Sequence, residues 1–192
     1  MRIFFLFFII IQHSCNNIET IELDLNDKII LPKHYVVSKT NEPIFIDGKD
    51  EELAWKNAIY SDDFIDIEGI KIPNQKTNVK MLWGSKYLYV FAKLNEKHIW
   101  GDITRRDEVI YYNNDFEVFI NPNNHVFSYG EIEINALGTE WDLYLDKPYR
   151  LNGKADSSWN INGLKSGINI IGTLNNPSDL DKYWTVEIAI PL

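Results

Sequence analysis

The sequence predicts an all-β protein, a jelly-roll-like β-sandwich of two antiparallel sheets with one short helix near residues 50–58. Apolar and polar residues alternate in many short runs, and Gly, Pro, Asn or Asp stands in nearly every gap between those runs. The chain has 192 residues, of which 45% are hydrophobic, so it is large enough for one domain with a hydrophobic core. Short alternating strands at this spacing are typical of sandwiches and barrels rather than of α/β folds.

The N-terminus has the layout of a secretory signal peptide. Arg2 precedes an apolar run that ends before Gln12-His13-Ser14-Cys15, and this run is shorter than the roughly 20 residues that span a bilayer. Ser14-Cys15 is similar to the end of a bacterial lipobox, whose cysteine is lipidated. We expect residues 1–15 to be a signal peptide with Cys15 as the lipidation site, and the protein to be exported to the cell surface or beyond. The alternatives are an N-terminal core strand, or a cleaved signal with an incidental cysteine.

The next segments lead into the domain. Residues 16–42 are polar and show no sustained period, which predicts a tether and lead-in, so we place the domain at residues 43–192. An apolar run at residues 44–46 predicts a short strand, followed by an Asp-Gly turn and a helix that ends near Ala58. Trp55 then falls on the inner side of this helix.

The rest of the chain alternates with a period of two. Thr77–Trp83 and Tyr87–Leu94 predict a hairpin. Further strands are predicted at Asp115–Ile120, Glu131–Ala136, Trp141–Leu145, Ile168–Leu174 and Trp184–Ile190. Trp55, Trp83 and Trp184 are predicted to be core residues.

The charge balance excludes several classes of partner. Asp and Glu number 28 against 19 Lys and Arg, which gives a formal charge of −9. Such a surface repels phosphate backbones and anionic lipids, so we expect no nucleic acid, and membrane contact only through the lipid anchor or signal peptide. The single cysteine allows no internal disulfide. A neutral or cationic ligand, or a divalent metal, remains compatible.

Five segments together resemble the family 9 carbohydrate-binding modules and their relatives in surface proteins of polysaccharide-degrading bacteria. They are residues 46–55, 79–90, 114–120, 131–136 and 184–191, in the order and spacing of the family. The resemblance implies a jelly-roll-like sandwich, sugar binding and often structural calcium. It also implies further strands after residue 190, so we expect the domain to be incomplete at its C-terminus, with an open sheet edge near Trp184–Ile190.

The resemblance also singles out positions for a sugar. Tyr111-Tyr112 stands where sugar-binding members carry the first of two tryptophans that hold the sugar. Glu133 stands where the partner strand usually carries an arginine, and the asparagine that follows is kept as Asn135.

Carbohydrate recognition needs a flat aromatic face and planar polar side chains that bond the hydroxyls. The alternation places Glu117, Glu133 and Asn135 on one sheet face if their strands pair. The candidate aromatic residues are Tyr111, Tyr112, Trp100, Trp141 and Trp159. The alternative is an ordinary solvated sheet face on which these aromatic residues serve only for packing. Composition alone favours this alternative, but the family resemblance favours a sugar site.

Loops rich in Asp predict the candidate calcium ligands, because Ca²⁺ takes six to eight oxygens. Asp47 and Asp50 lie in one such loop, and Asp62, Asp63 and Asp66 lie in another. A solvated acidic loop is the alternative for each.

The resulting hypothesis is non-catalytic carbohydrate binding, associated with polysaccharide breakdown. One alternative is a sandwich module that binds a protein partner or another ligand. A third is a fragment of a glycoside hydrolase that uses Glu117 and Glu133, although the many carboxylates single out no catalytic pair.

Overall fold

The computed structural model describes residues 33–69, 71–123 and 125–192, and the strands in these residues form two sheets. In chain order the elements are β1 (Ser38–Lys39), α1 (Leu53–Asn57), β2 (Thr77–Trp83), β3 (Tyr87–Asn95), β4 (Asp115–Ile120), β5 (Tyr129–Asn135), β6 (Glu140–Leu145), a 3-10 turn (Tyr149–Leu151), β7 (Ala155–Asp156), β8 (Lys165–Ile171) and β9 (Tyr183–Pro191). The first sheet has the order β1-β2-β3-β9-β8, and the second has the order β4-β5-β6-β7. Neighbouring strands are antiparallel except β1 and β2. The prediction of an all-β sandwich with one short helix is confirmed.

Most strands lie close to their predicted positions, but several departures occur. β8 starts at Lys165 and ends at Ile171, so it begins and ends earlier than the predicted Ile168–Leu174. It ends early because the backbone N–H of Thr173 donates to the Asp181 carboxylate at 2.6 Å and not to a neighbouring strand. Residues 44–46 are not a strand, because the N–H of Phe45 donates to the side chain of Glu52 at 3.0 Å. β1 lies inside the predicted lead-in.

The core lies between the two sheets and contains inward-facing residues of both. Its buried members are Val79, Val90, Ala92, Ile99, Phe116, Ile132, Ile134, Ala136, Trp184, Val186, Ile188 and Ile190. Residues Tyr35–Leu192 form one compact unit around this core.

Two of the three predicted core tryptophans are buried. Trp55 is 0% exposed and Trp184 is 1% exposed. The prediction for Trp83 is wrong, because this residue ends β2 and is 38% exposed. The ammonium of Lys39 lies 5.0 Å from the centre of its ring.

The expected open edge at the end of the chain is also wrong. β9 pairs with β3 on one side and with β8 on the other, so it lies inside the first sheet. Its inward residues are among the most buried in the core, which explains the strong alternation of this segment. An incomplete C-terminus stays a prediction.

A buried carboxylate attaches the helix and the preceding loop to the first sheet. Glu187 of β9 is 0% exposed and accepts a hydrogen bond from Trp55 Nε1 at 2.7 Å. It also accepts the backbone N–H groups of Asp47 at 2.9 Å and Gly48 at 3.0 Å. Gly48 has φ +80°, and a Cβ there would lie 2.6 Å from the backbone carbonyl carbon of Ile168, so this turn requires glycine.

No helix in the described parts of the chain is long and apolar enough to cross a membrane. The predicted signal peptide, Cys15 and most of the tether lie outside the described residues.

We expect Gly48→Ala to destabilise the protein more than Gly69→Ala. Both glycines have a positive φ, +80° and +74°, but a Cβ at Gly69 would meet nothing within 4 Å. Gly69→Ala therefore measures the cost of the backbone conformation, about 1–2 kcal/mol. The clash of Gly48→Ala with β8 should add at least about 1 kcal/mol to the loss of unfolding free energy in urea. Equal losses would show that β8 moves aside freely.

The titration of Glu187 should make the protein more stable at pH 5 than at pH 8. Burial raises the pKa of Glu187 to about 7 in spite of the bonds from Trp55, Asp47 and Gly48, and the charge of Glu52 adds to the rise. Between about pH 4.5 and pH 7, Glu187 is therefore protonated in the native state but ionised in the unfolded chain. The contribution of this group to the unfolding free energy is therefore present below pH 4.5 and is lost as the pH rises through 7, on the order of 2–3 kcal/mol.

Urea unfolding of the wild type and of Glu187→Gln across this pH range isolates the contribution of this group. The difference in unfolding free energy between the two proteins should change with pH, while exposed Glu51→Gln should follow the wild type. If the wild type instead gains stability relative to Glu187→Gln as the pH rises, the three hydrogen bonds outweigh burial.

Candidate functional site

The pairing of β4 with β5 places acidic residues on one side of the second sheet. Phe116 lies opposite Ile134, and both are buried in the core. Side chains alternate along a strand, so Asp115 and Glu117 point to the other side, which we call the outer face. Glu117 lies directly opposite Glu133 in the register. The other residues of this face in β4, β5 and β6 include Phe119, Tyr129, Glu131, Asn135, Trp141, Leu143 and Leu145.

Three carboxylates of the outer face form a close cluster. One carboxylate oxygen from each of Asp115, Glu117 and Glu133 lies within 4.8 Å of the other two. Glu133 is only 2% exposed, whereas Glu117 is exposed. Asp115 Oδ2 and Glu133 Oε2 are buried without a hydrogen-bond partner among the described residues. We call this cluster the acidic trio.

Burial and mutual repulsion raise the pKa values of the acidic trio. Burial raises the pKa of Glu133 to about 8, and the charges of Glu117, Asp115 and Glu131 add to the rise. The pKa of Asp115 is raised to about 7 by burial and by the charge of Glu117. The carboxyl group of Glu117 is partly buried although the side chain as a whole is exposed, and this partial burial also raises its pKa. The trio can therefore hold a proton at neutral pH, and it favours ligands that bring positive charge or hydrogen-bond donors.

Aromatic side chains stand beside the trio. Tyr111 is 51% exposed and Tyr112 is 77% exposed, and their ring centres are 4.8 Å apart. The Tyr111 ring also lies 6.4 Å from the ring of Trp141, which is opposite Glu133 in β6. Trp141 is 9% exposed, and its Nε1 has no hydrogen-bond partner among the described residues. The structure thus brings together Tyr111, Tyr112 and Trp141 with Glu117 and Glu133.

Asn135 holds the segment that carries the tyrosines. Its side-chain N–H groups donate to Ile103 O at 2.8 Å and to Asn113 Oδ1 at 3.1 Å. Its Oδ1 accepts the backbone N–H groups of Leu137 at 3.1 Å and Thr139 at 2.9 Å. Asn135 is 0% exposed, and every polar atom of its side chain is bonded within the protein. Its observed role is therefore to position the loops that border the outer face.

The two other candidate tryptophans do not join this group. Trp159 packs against Tyr144, with ring centres 5.9 Å apart, and covers Gly130. Gly130 lies opposite Tyr144 on the core side of the sheet, so Trp159 is not on the outer face. Trp100 is 42% exposed, and its ring is not among the ring contacts of Tyr111, Tyr112 and Trp141.

The acidic loops predicted to bind calcium already contain partners of opposite charge. Asp50 accepts a bond from Lys80 Nζ at 2.8 Å, and this pair lowers the pKa of Asp50 in spite of the opposing effect of burial. Asp47 lies 3.8 Å from Lys49 Nζ. In the second loop, Asp63 pairs with Lys76 at 2.8 Å. Calcium at either loop stays a prediction.

Three residues of the outer face were not predicted from the sequence. Asp115 belongs to the acidic trio, and Glu131 adds a fourth carboxylate that accepts a hydrogen bond from the Tyr149 hydroxyl at 3.3 Å. The alternation contained the signal for two of them, because Asp115 and Glu131 stand two residues from Glu117 and Glu133. Tyr149 comes from the 3-10 turn, and no local pattern indicates its position.

The comparisons with known proteins identify the class. The family model described as "Carbohydrate family 9 binding domain-like" matches residues 46–192. The chain belongs to this family, which confirms the resemblance. No match was found among the curated proteins.

Two solved structures share the fold. One is a family 9 carbohydrate-binding module from Caldicellulosiruptor kristjanssonii in complex with cellotriose, with 17% identity, a TM-score of 0.53, and coverage of 81% of this chain and 67% of that chain. The other, from Bacteroides uniformis, is named as a candidate carbohydrate-binding protein, with 12% identity, a TM-score of 0.56, and coverage of 81% and 71%.

Proposed function

We propose that this protein binds saccharide on the outer face of the second sheet, without hydrolysing it. The observation that carries the proposal is the exposed Tyr111–Tyr112 pair beside Glu117 and Glu133 in a family 9 sandwich. An aromatic ring packs against the apolar C–H side of a pyranose. Carboxylates accept bonds from its hydroxyls, and a protonated Glu133 donates one. A role in polysaccharide breakdown is part of this proposal and is supported by the family alone.

The catalytic alternative depends on the distance between Glu117 and Glu133. Oxygens of Glu117 and Glu133 lie within 4.8 Å of each other, because the residues face each other across two paired strands. Glycosidases place their two carboxyl groups about 5–5.5 Å or about 6.5–9.5 Å apart, on either side of the scissile bond. The nearest oxygens of this pair are close to the shorter of these spacings, so the preference for binding rests on the family match and not on the distance.

Tyr112→Ala should weaken saccharide binding by at least about tenfold, which is about 1.4 kcal/mol, because it removes the most exposed aromatic surface of the site. Tyr112→Phe keeps the ring and should bind nearly as the wild type does. Phe45→Ala, which removes an aromatic side chain that is 70% exposed outside the site, is the matched control.

Binding is measured by tryptophan fluorescence and calorimetry against cellotriose, glucose and a panel of other oligosaccharides. The proposal is overturned if the wild type binds none of them, or if Tyr112→Ala and Phe45→Ala bind alike. Hydrolysis of a chromogenic glycoside that Glu117→Gln abolishes would support the catalytic alternative.

We further propose that the protein is exported and anchored by lipid on Cys15. The apolar run after Arg2 and the Ser14-Cys15 pair support this. In a Gram-negative host, the wild type should fractionate with membranes and carry lipid on Cys15, and Cys15→Ala should be released or left unprocessed. Mass spectrometry and fractionation test this, and a wild-type protein that stays in the cytoplasm with Met1 intact would contradict it.

A further inference from the structure

The acidic trio differs from the other buried carboxylates in its partners. Asp142 is paired with Arg106, and Glu187 accepts three N–H groups. None of Asp115, Glu117 and Glu133 is within ion-pair distance of a lysine or arginine in the described parts of the chain. Above the pKa values of its members, the trio carries negative charge that no lysine or arginine in the described parts of the chain neutralises.

The burial of two carboxylate oxygens of the trio is an independent observation. Glu133 is only 2% exposed, and its Oε2 is buried without a hydrogen-bond partner among the described residues. Asp115 Oδ2, on the neighbouring strand, is also a buried atom without a hydrogen-bond partner among the described residues. Leaving a buried carboxylate oxygen unpaired is costly, so these two oxygens are available to a ligand that brings positive charge.

The distances fit a specific ligand class. Calcium binds oxygens at about 2.3–2.6 Å, so two oxygens on opposite sides of one ion lie about 4.6–5.2 Å apart, and adjacent ones lie closer. The oxygens of the trio, all within 4.8 Å of one another, satisfy this limit. Three carboxylates supply three to six of the six to eight oxygens that calcium takes. The remaining positions would open toward solvent at Glu117, the exposed member.

We propose that Asp115, Glu117 and Glu133 form a binding site for a divalent cation of the calcium type on the outer face of the second sheet. The two strands deliver the ligands in a fixed arrangement, because Glu117 and Glu133 face each other in the register and Asp115 stands two residues along β4. This site is separate from the Asp47–Asp50 loop, whose carboxylates lie beside Lys49 and Lys80. The inference does not depend on saccharide binding, although the ion would lie next to the Tyr111 and Trp141 rings.

The test uses Tb³⁺ as a luminescent substitute for calcium, because nearby Tyr and Trp side chains sensitise its emission. The full chain, freed of metal, is titrated with Tb³⁺ under excitation of the aromatic residues, and Ca²⁺ is then added as the competitor. We expect saturable emission from one site that Ca²⁺ displaces, and a Ca²⁺-dependent rise in the melting temperature. Glu117→Gln should weaken binding at least tenfold without affecting folding, since this side chain is exposed.

Asp115→Asn and Glu133→Gln should each weaken binding by at least the same factor, with circular dichroism as the check on folding. Asp47→Asn is the matched control and should bind Tb³⁺ as the wild type does. The proposal is overturned if the wild type gives no sensitised emission and no heat with Ca²⁺, or if the folded Glu117→Gln variant binds as the wild type. It is also overturned if Asp47→Asn abolishes the signal. Cation binding without any saccharide response would support this site and reject the proposed function.

Discussion

The register between β4 and β5 is the constraint on which the rest of the candidate site depends. It places Phe116 opposite Ile134 in the core and Glu117 opposite Glu133 on the outer face. Like charges directly opposite each other destabilise a strand pair, so the acidic side does not favour this register. The apolar side favours this register, because a slip of one residue would expose its buried side chains to the solvent. Each exposed side chain would cost about 1.5–3 kcal/mol of stability. Core packing therefore holds the carboxylates together against their repulsion.

Two groups of buried acidic residues in this domain differ in their partners. In the first group, carboxylates join loops to sheets: Glu187 binds the Asp47-Gly48 turn, and Asp181 accepts the N–H groups of Ile99 and Thr173 at 2.7 and 2.6 Å. Their hydrogen bonds offset part of the cost of burial, although the pKa of Glu187 is still raised to about 7. In the second group, Glu133 and Asp115 have buried oxygens without such bonds. A buried polar atom without a partner is uncommon in folded proteins and marks a candidate ligand site.

The sequence predicted what depends on local alternation and missed what depends on distant contacts. The period of two in residues 115–120 and 131–136 was sufficient to place Glu117, Glu133 and Asn135 on one face. It could not show that Asn135 is enclosed, because its partners lie in the loop around Ile103 and Asn113. The same limit applies to β1, whose two residues pair in parallel with a strand far along the chain. Alternation also cannot report where the core ends, so it could not reveal that Trp83 lies at the end of its strand.

The tyrosines and the trio form one surface because the segment between them is held rigidly. The side chain of Asn113 accepts the backbone N–H groups of Asp102 and Ile103 at 3.1 and 3.0 Å, and Asn135 bonds to the same residue. Tyr111 and Tyr112 are therefore presented to the solvent on a constrained backbone, and little conformational entropy remains to be lost when a ligand packs on them.

The chemistry of this surface then depends on what neutralises the trio. At neutral pH a proton on Glu133, whose pKa is raised to about 8, relieves the repulsion and provides a hydrogen-bond donor beside the acceptors of Glu117. A divalent cation would relieve the same repulsion with its own charge and would leave only acceptors and open coordination positions. A proton and a cation are thus alternative occupants of the same oxygens. Hydroxyl groups of a ligand that packs against the tyrosines would meet a donor in the first case and a metal ion in the second.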